Sequence, residues 1–139
     1  MRITGVIVHG KHLGRTIGFP TANLRPDSPA PALGPNGVYA ALIRIEGYPT
    51  PLPCMLNQGR HPTVPEGPPT IEAHILNFHD DIYGLRAEVE YLQFLRPEVR
   101  FPSLDALKAQ LRQDQRSTEE YFAGFGGAFG GELRGRDSF

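Results

Sequence analysis

The sequence predicts a mainly β domain, a barrel or sandwich of short strands closed by one C-terminal helix. Three observations carry that expectation. Sixteen glycines and fourteen prolines supply many tight connections. Between them lie short segments whose apolar residues alternate with period two. Only one stretch, beginning near Ser103, repeats apolar residues at helical spacing. At 139 residues the chain is most simply one domain, long enough to bury a core.

Residues 2–8 (RITGVIV) read as the first strand, ending at His9-Gly10. From Gly14 to Leu24 the chain crowds small, hydroxyl, amide and cationic groups together and is expected to be a loop. Pro20 biases Phe19 away from helix, and Gly14 and Gly18 permit backbone geometry that other residues resist. The segment from Pro26 to Pro35 is too rich in proline to pair and should cross the surface. Residues 37–45 (GVYAALIRI) form the next strand. Both of its alternating sets are largely apolar, which calls for cover on both faces, as where a helix backs a barrel.

Gly47 begins a hairpin turn, and residues 50–56 return as a strand weakened by Pro51 and Pro53. Asn57-Gln58-Gly59-Arg60-His61-Pro62 is expected to break that strand into a second polar loop. Thr70 to Leu76 alternates cleanly, with Ile71, Ala73 and Ile75 on one face and Glu72 and His74 together on the other. Asn77 to Asp81 supplies a turn. Leu85, Ala87, Val89 and Tyr91 then mark a strand expected to pair antiparallel with Thr70 to Leu76. Ser103 is placed to cap a helix with Asp105 in its first turn, and Leu104, Leu107 and Leu111 are expected to face the core. The helical pattern fades after Asp114. Residues 1–123 are therefore expected to form the domain and the glycine-rich residues 124–139 a mobile tail.

Charge and cysteine usage exclude several classes of function. A formal net charge of −1 gives no general footprint for nucleic acid or an anionic membrane, so neither partner is expected. Cys54 is the single cysteine; it cannot form an intramolecular disulfide, and it reads as a small buried apolar residue between prolines. With no signal-like start and no apolar run of membrane-spanning length, a cytoplasmic, monomeric protein is expected.

Chemistry concentrates in Gly14-Arg15-Thr16-Ile17-Gly18-Phe19-Pro20-Thr21-Ala22-Asn23. Thr21 and Asn23 offer oxygens two residues apart, on one side of extended backbone, and magnesium accepts such neutral oxygens beside those of phosphate. Together with Gly10, Gly37-Val38-Tyr39-Ala40, Asn57-Gln58-Gly59, Pro62-Thr63, Glu72-Ala73-His74-Ile75-Leu76, Tyr83-Gly84, Leu95-Arg96-Pro97-Glu98 and Phe101, this segment resembles the riboflavin kinase (flavokinase) family over roughly residues 4–116. The resemblance implies a six-stranded antiparallel Greek-key β-barrel with a C-terminal α-helix against it. It also implies transfer of the γ-phosphoryl group of ATP to the ribityl 5′-hydroxyl of riboflavin, giving FMN and ADP with Mg2+. Bacterial members commonly join this domain to an FMN adenylyltransferase domain that has no counterpart in this sequence, so a kinase alone is expected.

Residue by residue, the resemblance makes Thr21 and Asn23 the magnesium site and Glu72 the general base. It gives Gly10, Gly14, Arg15, Thr21, Ile75, Asn77 and Tyr83 to the nucleotide, with Arg15 also catalytic, and gives Arg96 and Phe101 to the flavin. The glycine loop is not a Walker motif, because Gly10 to Thr16 lacks the GxxxxGK[ST] spacing and opens no helix. The sequence departs from the family at His61, where an arginine is usual, and at Asn77, where many members carry aspartate. Two other readings compete: a non-catalytic flavin or nucleotide binder on the same barrel, and a β-barrel metalloenzyme built on Glu72, His74, His61 and His79.

Overall fold

Seven apolar-rich segments separated by glycine, proline and asparagine turns become six strands and one helix. The computed structural model describes residues 1–9, 18–28, 34–60 and 66–124. The strands are β1 (Arg2–Val8), β2 (Ala22–Pro26), β3 (Gly37–Ile45), β4 (Leu52–Gly59), β5 (Thr70–Ile75) and β6 (Arg86–Pro97), followed by α1 (Leu104–Gly124). They close into an antiparallel barrel in the order β1-β2-β5-β4-β3-β6. Consecutive β3, β4 and β5 lie side by side while β6 returns beside β3, which is the Greek-key connection that the family resemblance implied.

One residue of each alternating pair fills the barrel. Ile7, Leu24, Ile43, Leu56, Ile71 and Val89 are among this inner core, each at most 5% exposed. The outward residues of β3 are buried as well, because Val38 packs with Phe19 and Met55, and Ala40 and Leu42 pack with Phe122 of α1. That is the two-sided cover anticipated for β3, and it fixes the helix against the β4-β3-β6 side of the barrel.

Four expectations are corrected. Residues 22–24, expected to end a loop, and Pro26, expected to start a surface crossing, belong to β2, because extended backbone there pairs with both β1 and β5 and buries Ala22 and Leu24. Asn57, Gln58 and Gly59 continue β4, because the ladders to β3 and β5 run through them and Gln58 is sealed in the interior, where it accepts from Tyr91 Oη at 2.8 Å. β5 and β6 do not pair. Both edges of β5 are taken by β2 and β4, so β6 closes the gap between β1 and β3.

The helix, finally, continues past Asp114 to Gly124. Its most buried residues are Asp114, Thr118 and Phe122, one helical face on which Thr118 Oγ1 also donates to the Asp114 carbonyl at 2.8 Å. Leu104 is 54% exposed and lies outside the core, whereas Leu111 packs on the Phe19–Val38–Met55 cluster. The Ser103 cap forms as expected, its Oγ accepting from the Ala106 amide at 3.1 Å. The expected tail beyond Gly124 lies outside the described residues.

Candidate functional site

Pairing of β2 with β5 sets Asn23 directly opposite Glu72. Both side chains point away from the barrel interior, since their neighbours Ala22, Leu24 and Ala73 belong to the inner core. Thr21, just before β2, donates its hydroxyl to Glu72 Oε1 at 3.0 Å. Three residues singled out from the sequence are thus brought together across two strands.

The local chain is built to hold Thr21 there. Gly18 sits at φ 89°, a left-handed turn that side-chain-bearing residues resist. Phe19 then turns back into the Val38–Met55 cluster, and its ring meets that of His74 edge-on at 5.5 Å. His74 Nδ1 lies 2.7 Å from the Pro20 carbonyl. A carbonyl only accepts, so that nitrogen carries the hydrogen. These contacts pin both sides of the Pro20-Thr21 step.

A cleft of about 380 Å³ opens beside Thr21, walled by Ile75, by Tyr83 and by the 78–82 connection that leads out of β5. Tyr83 stacks on His9 at 3.6 Å between ring centroids and 21° between planes. The connecting loop is held in place by Tyr48, whose hydroxyl donates to Asp80 Oδ2 at 2.7 Å and whose ring packs on Phe78. That bond also holds the Tyr48 hydroxyl above its ordinary pKa, because the phenolate would face the Asp80 charge. Asn77 makes the turn that starts the loop, at φ 52°, but it is exposed and does not line the cleft. Thr21 therefore stands at a junction, lining the cleft on one side and touching Glu72 on the other.

Arg96 and Phe101 also meet, although not as free groups. Arg96 Nε and Nη2 donate to Asp114 Oδ1 and Oδ2 at 2.7 Å each, a two-pronged ion pair with a carboxylate that is only 3% exposed. Gln110 Nε2 adds a third bond to Asp114 at 2.9 Å. So fixed, the guanidinium lies 5.7 Å from the centre of the Phe101 ring. Sequence reasoning missed Asp114 because the helix was expected to end there. It also missed His9 as part of the cleft wall, since a lone histidine at a strand end carries no signal.

The oxygen donors of Thr21, Asn23 and Glu72 are the hard ligands that suit magnesium. Among the described residues no group of three His, Cys, Asp or Glu side chains could hold a metal ion, so the histidine-based alternative finds no centre there. Gly10, Gly14, Arg15 and His61 lie outside the described residues. No helix among the described residues is long and apolar enough to cross a membrane.

With this geometry in view, the comparisons with known proteins are specific. The Flavokinase family, described as riboflavin kinase, matches residues 1–122. The bifunctional riboflavin kinase/FMN adenylyltransferase of Listeria monocytogenes is 43% identical over 122 residues, covering 86% of this chain and 37% of that protein. A crystal structure of riboflavin kinase from Trypanosoma brucei superposes with a TM-score of 0.62 at 26% identity, covering 88% of this chain and 79% of that one. A Streptococcus pneumoniae crystal structure described as a macrolide-efflux protein gives a TM-score of 0.74 at 34% identity, covering 85% of this chain and 38% of that one. The chain spans well under half the length of the curated bifunctional relatives it matches.

Proposed function

The chain belongs to the riboflavin kinase family, and from that premise we propose that it transfers the γ-phosphoryl group of ATP to the ribityl 5′-hydroxyl of riboflavin, releasing FMN and ADP. The observation that carries the reading is the Thr21–Glu72 hydrogen bond, which joins a carboxylate to a residue that lines the cleft of about 380 Å³. Phosphoryl transfer asks a protein mainly for position and charge neutralisation. Each requirement has a residue.

ATP occupies the cleft with its base against Ile75 and Tyr83 and with Asn77 at the outer turn. Gly10 and Gly14 give backbone N–H groups to the phosphates, and Arg15 adds a cation where charge gathers. Thr21 and Asn23 would hold Mg2+, which when bound offsets the phosphate charge. Riboflavin lies on the other side, its ring against Phe101 and the Arg96 guanidinium, its terminal hydroxyl at Glu72. As the hydroxyl oxygen bonds to the γ-phosphorus and the bond to the ADP oxygen breaks, Glu72 accepts the hydroxyl proton. Thr21 engages Oε1 and so orients the carboxylate for that task. The enzyme acts as a cytoplasmic monomer in this reading.

The test is chromatographic detection of FMN after incubation with riboflavin, ATP and magnesium. Metal-dependent FMN formation supports the proposal, and a Thr21→Ala or Asn23→Ala protein should then need more magnesium for half-maximal rate. Riboflavin binding without FMN would replace the kinase with a non-catalytic flavin-binding barrel.

A further inference from the structure

Helical spacing puts Gln110, Asp114, Thr118 and Phe122 on one face of α1. Phe122 packs on Ala40 and Leu42 of β3, and Leu111 packs with Phe19, Val38 and Met55, so the barrel fixes where that face lies. Asp114 is held at both ends. Its carboxylate accepts from Gln110 Nε2 at 2.9 Å, and its backbone carbonyl accepts from Thr118 Oγ1 at 2.8 Å. A carboxylate only 3% exposed is costly without a cation beside it, and Arg96 supplies one.

The pairing also constrains Arg96. Nε and Nη2 go to the two oxygens of Asp114 at 2.7 Å each, and Nη1 donates to the Pro97 carbonyl at 3.0 Å. The N–H groups of a guanidinium lie in its plane, so bonds from all three nitrogens fix its tilt as well as its place. They also occupy much of its hydrogen-bonding edge. A flat ligand is left with the face, beside the Phe101 ring whose centre is 5.7 Å away. A lysine at this position would carry the charge and present neither fork nor face.

We propose that Asp114 is a positioning residue for the flavin ring, holding the Arg96 guanidinium at the tilt in which its face meets that ring. This deepens the riboflavin kinase reading and rests on it. Asp114 is too buried to touch the ring itself and acts through Arg96. Without the two-pronged hold, Arg96 is a long side chain with several rotatable bonds, and ordering it would be charged against flavin binding. The effect stays on the flavin side. Neither Arg96 nor Asp114 lines the cleft beside Thr21. A ring contact made remote from the reacting hydroxyl is the same before and during transfer, so weakening it raises KM and leaves kcat alone.

The test is riboflavin affinity by flavin fluorescence, with steady-state kinetics, on Asp114→Asn. That change keeps the shape and one acceptor but sets an amide NH2 against Nη2, donor to donor. Thr118→Val controls for a loosened helix, since it removes the buried hydroxyl bond on the same face and leaves the Arg96 pair intact. All proteins are measured at a temperature where circular dichroism shows them folded. Should Asp114→Asn not fold, Asp114→Glu, which keeps the charge and shifts the fork by one methylene, takes its place with the same expectation. The Asp114 variant is expected to bind riboflavin about five- to tenfold more weakly. Its KM for riboflavin should rise by the same factor, with kcat and the KM for ATP within about twofold of wild type. Thr118→Val should bind riboflavin as wild type does. Arg96→Lys should show the loss by itself, and adding the Asp114 change to it should bring no more, because the aspartate acts only through the guanidinium. Unchanged riboflavin affinity in the Asp114 variant, an equal loss in Thr118→Val, or full additivity with Arg96→Lys overturns the assignment, while FMN formation by wild-type protein keeps the kinase reading. Wild-type protein that neither binds riboflavin nor makes FMN removes that reading and this assignment with it.

Discussion

Among the described residues Glu72 receives one hydrogen bond, from Thr21, and it has an asparagine opposite it on each neighbouring strand. Replacing the carboxylate with an amide keeps that surrounding geometry and removes the proton acceptor. Glu72→Gln is therefore expected to lower kcat by about 10²-fold or more while leaving riboflavin and ATP affinities within a few-fold. Rapid-quench turnover together with equilibrium binding checks this, and a near-normal kcat would dismiss Glu72 as the base. Asp114 makes the opposite kind of contribution, because it touches structure first. Its loss would leave Arg96, whose side chain is 19% exposed, facing the helix without a counter-charge. Asp114→Ala is expected to cost about 3 kcal/mol, read as a lower urea midpoint at constant slope. A midpoint within error of wild type would mean that water replaces the carboxylate at no cost.

Between elements, the outer face of β1, β6 and β3 is joined by charge. Glu90 on β6 lies opposite Arg2 on β1, Glu88 lies opposite Arg44 on β3, and Arg44 Nη1 donates to Glu90 Oε1 at 3.1 Å. That hydrogen bond first, and then the charges of Arg2 and Arg44, hold the Glu90 carboxyl below the usual carboxylate range against the opposing effect of burial. A carboxyl depressed in the folded state stabilises fully above its unfolded pKa of ~4.3, and the gain disappears as pH falls through the lower folded value. Glu90→Gln should therefore flatten the loss of stability below about pH 4 without steepening it elsewhere, an effect that salt diminishes because the pair is partly exposed. Urea midpoints of the two proteins from pH 6 to the acid limit measure it, and parallel acid limbs would exclude a Glu90 contribution. The helix follows a different logic. Its cap and first turn follow local chemistry, yet its buried face of Asp114, Thr118 and Phe122 exists because β3 and β6 present Ala40, Leu42 and Arg96 to it.

At the scale of the whole barrel, closure leaves no described strand edge unpaired, so interior groups open to solvent only when the barrel itself opens. Cys54 on β4 is fully buried, and burial pushes its thiol well above the ordinary range. Thiol reagents should accordingly label it only through global unfolding, at a rate that tracks stability across urea concentrations. Fast labelling in native buffer would show that the barrel opens locally at β4. Sequence alone was enough for β1, β3, β5, the start of β6, the helix cap and the outward pairing of Glu72 with His74, because each depends on near neighbours: a period of two, a proline, a capping serine. The segment around Thr21 and Asn23 stood out by its residue types, whereas Glu72 was singled out only by the resemblance to the riboflavin kinase family. Tertiary structure decided the rest. Whether Ala22–Pro26 and Asn57–Gly59 pair, which edges β6 joins, that Arg96 is held by Asp114, and that Asn57 shares a row with Glu72 are long-range facts. They depend on which strand edges remain open once the others have closed, and no local pattern in the chain encodes that competition.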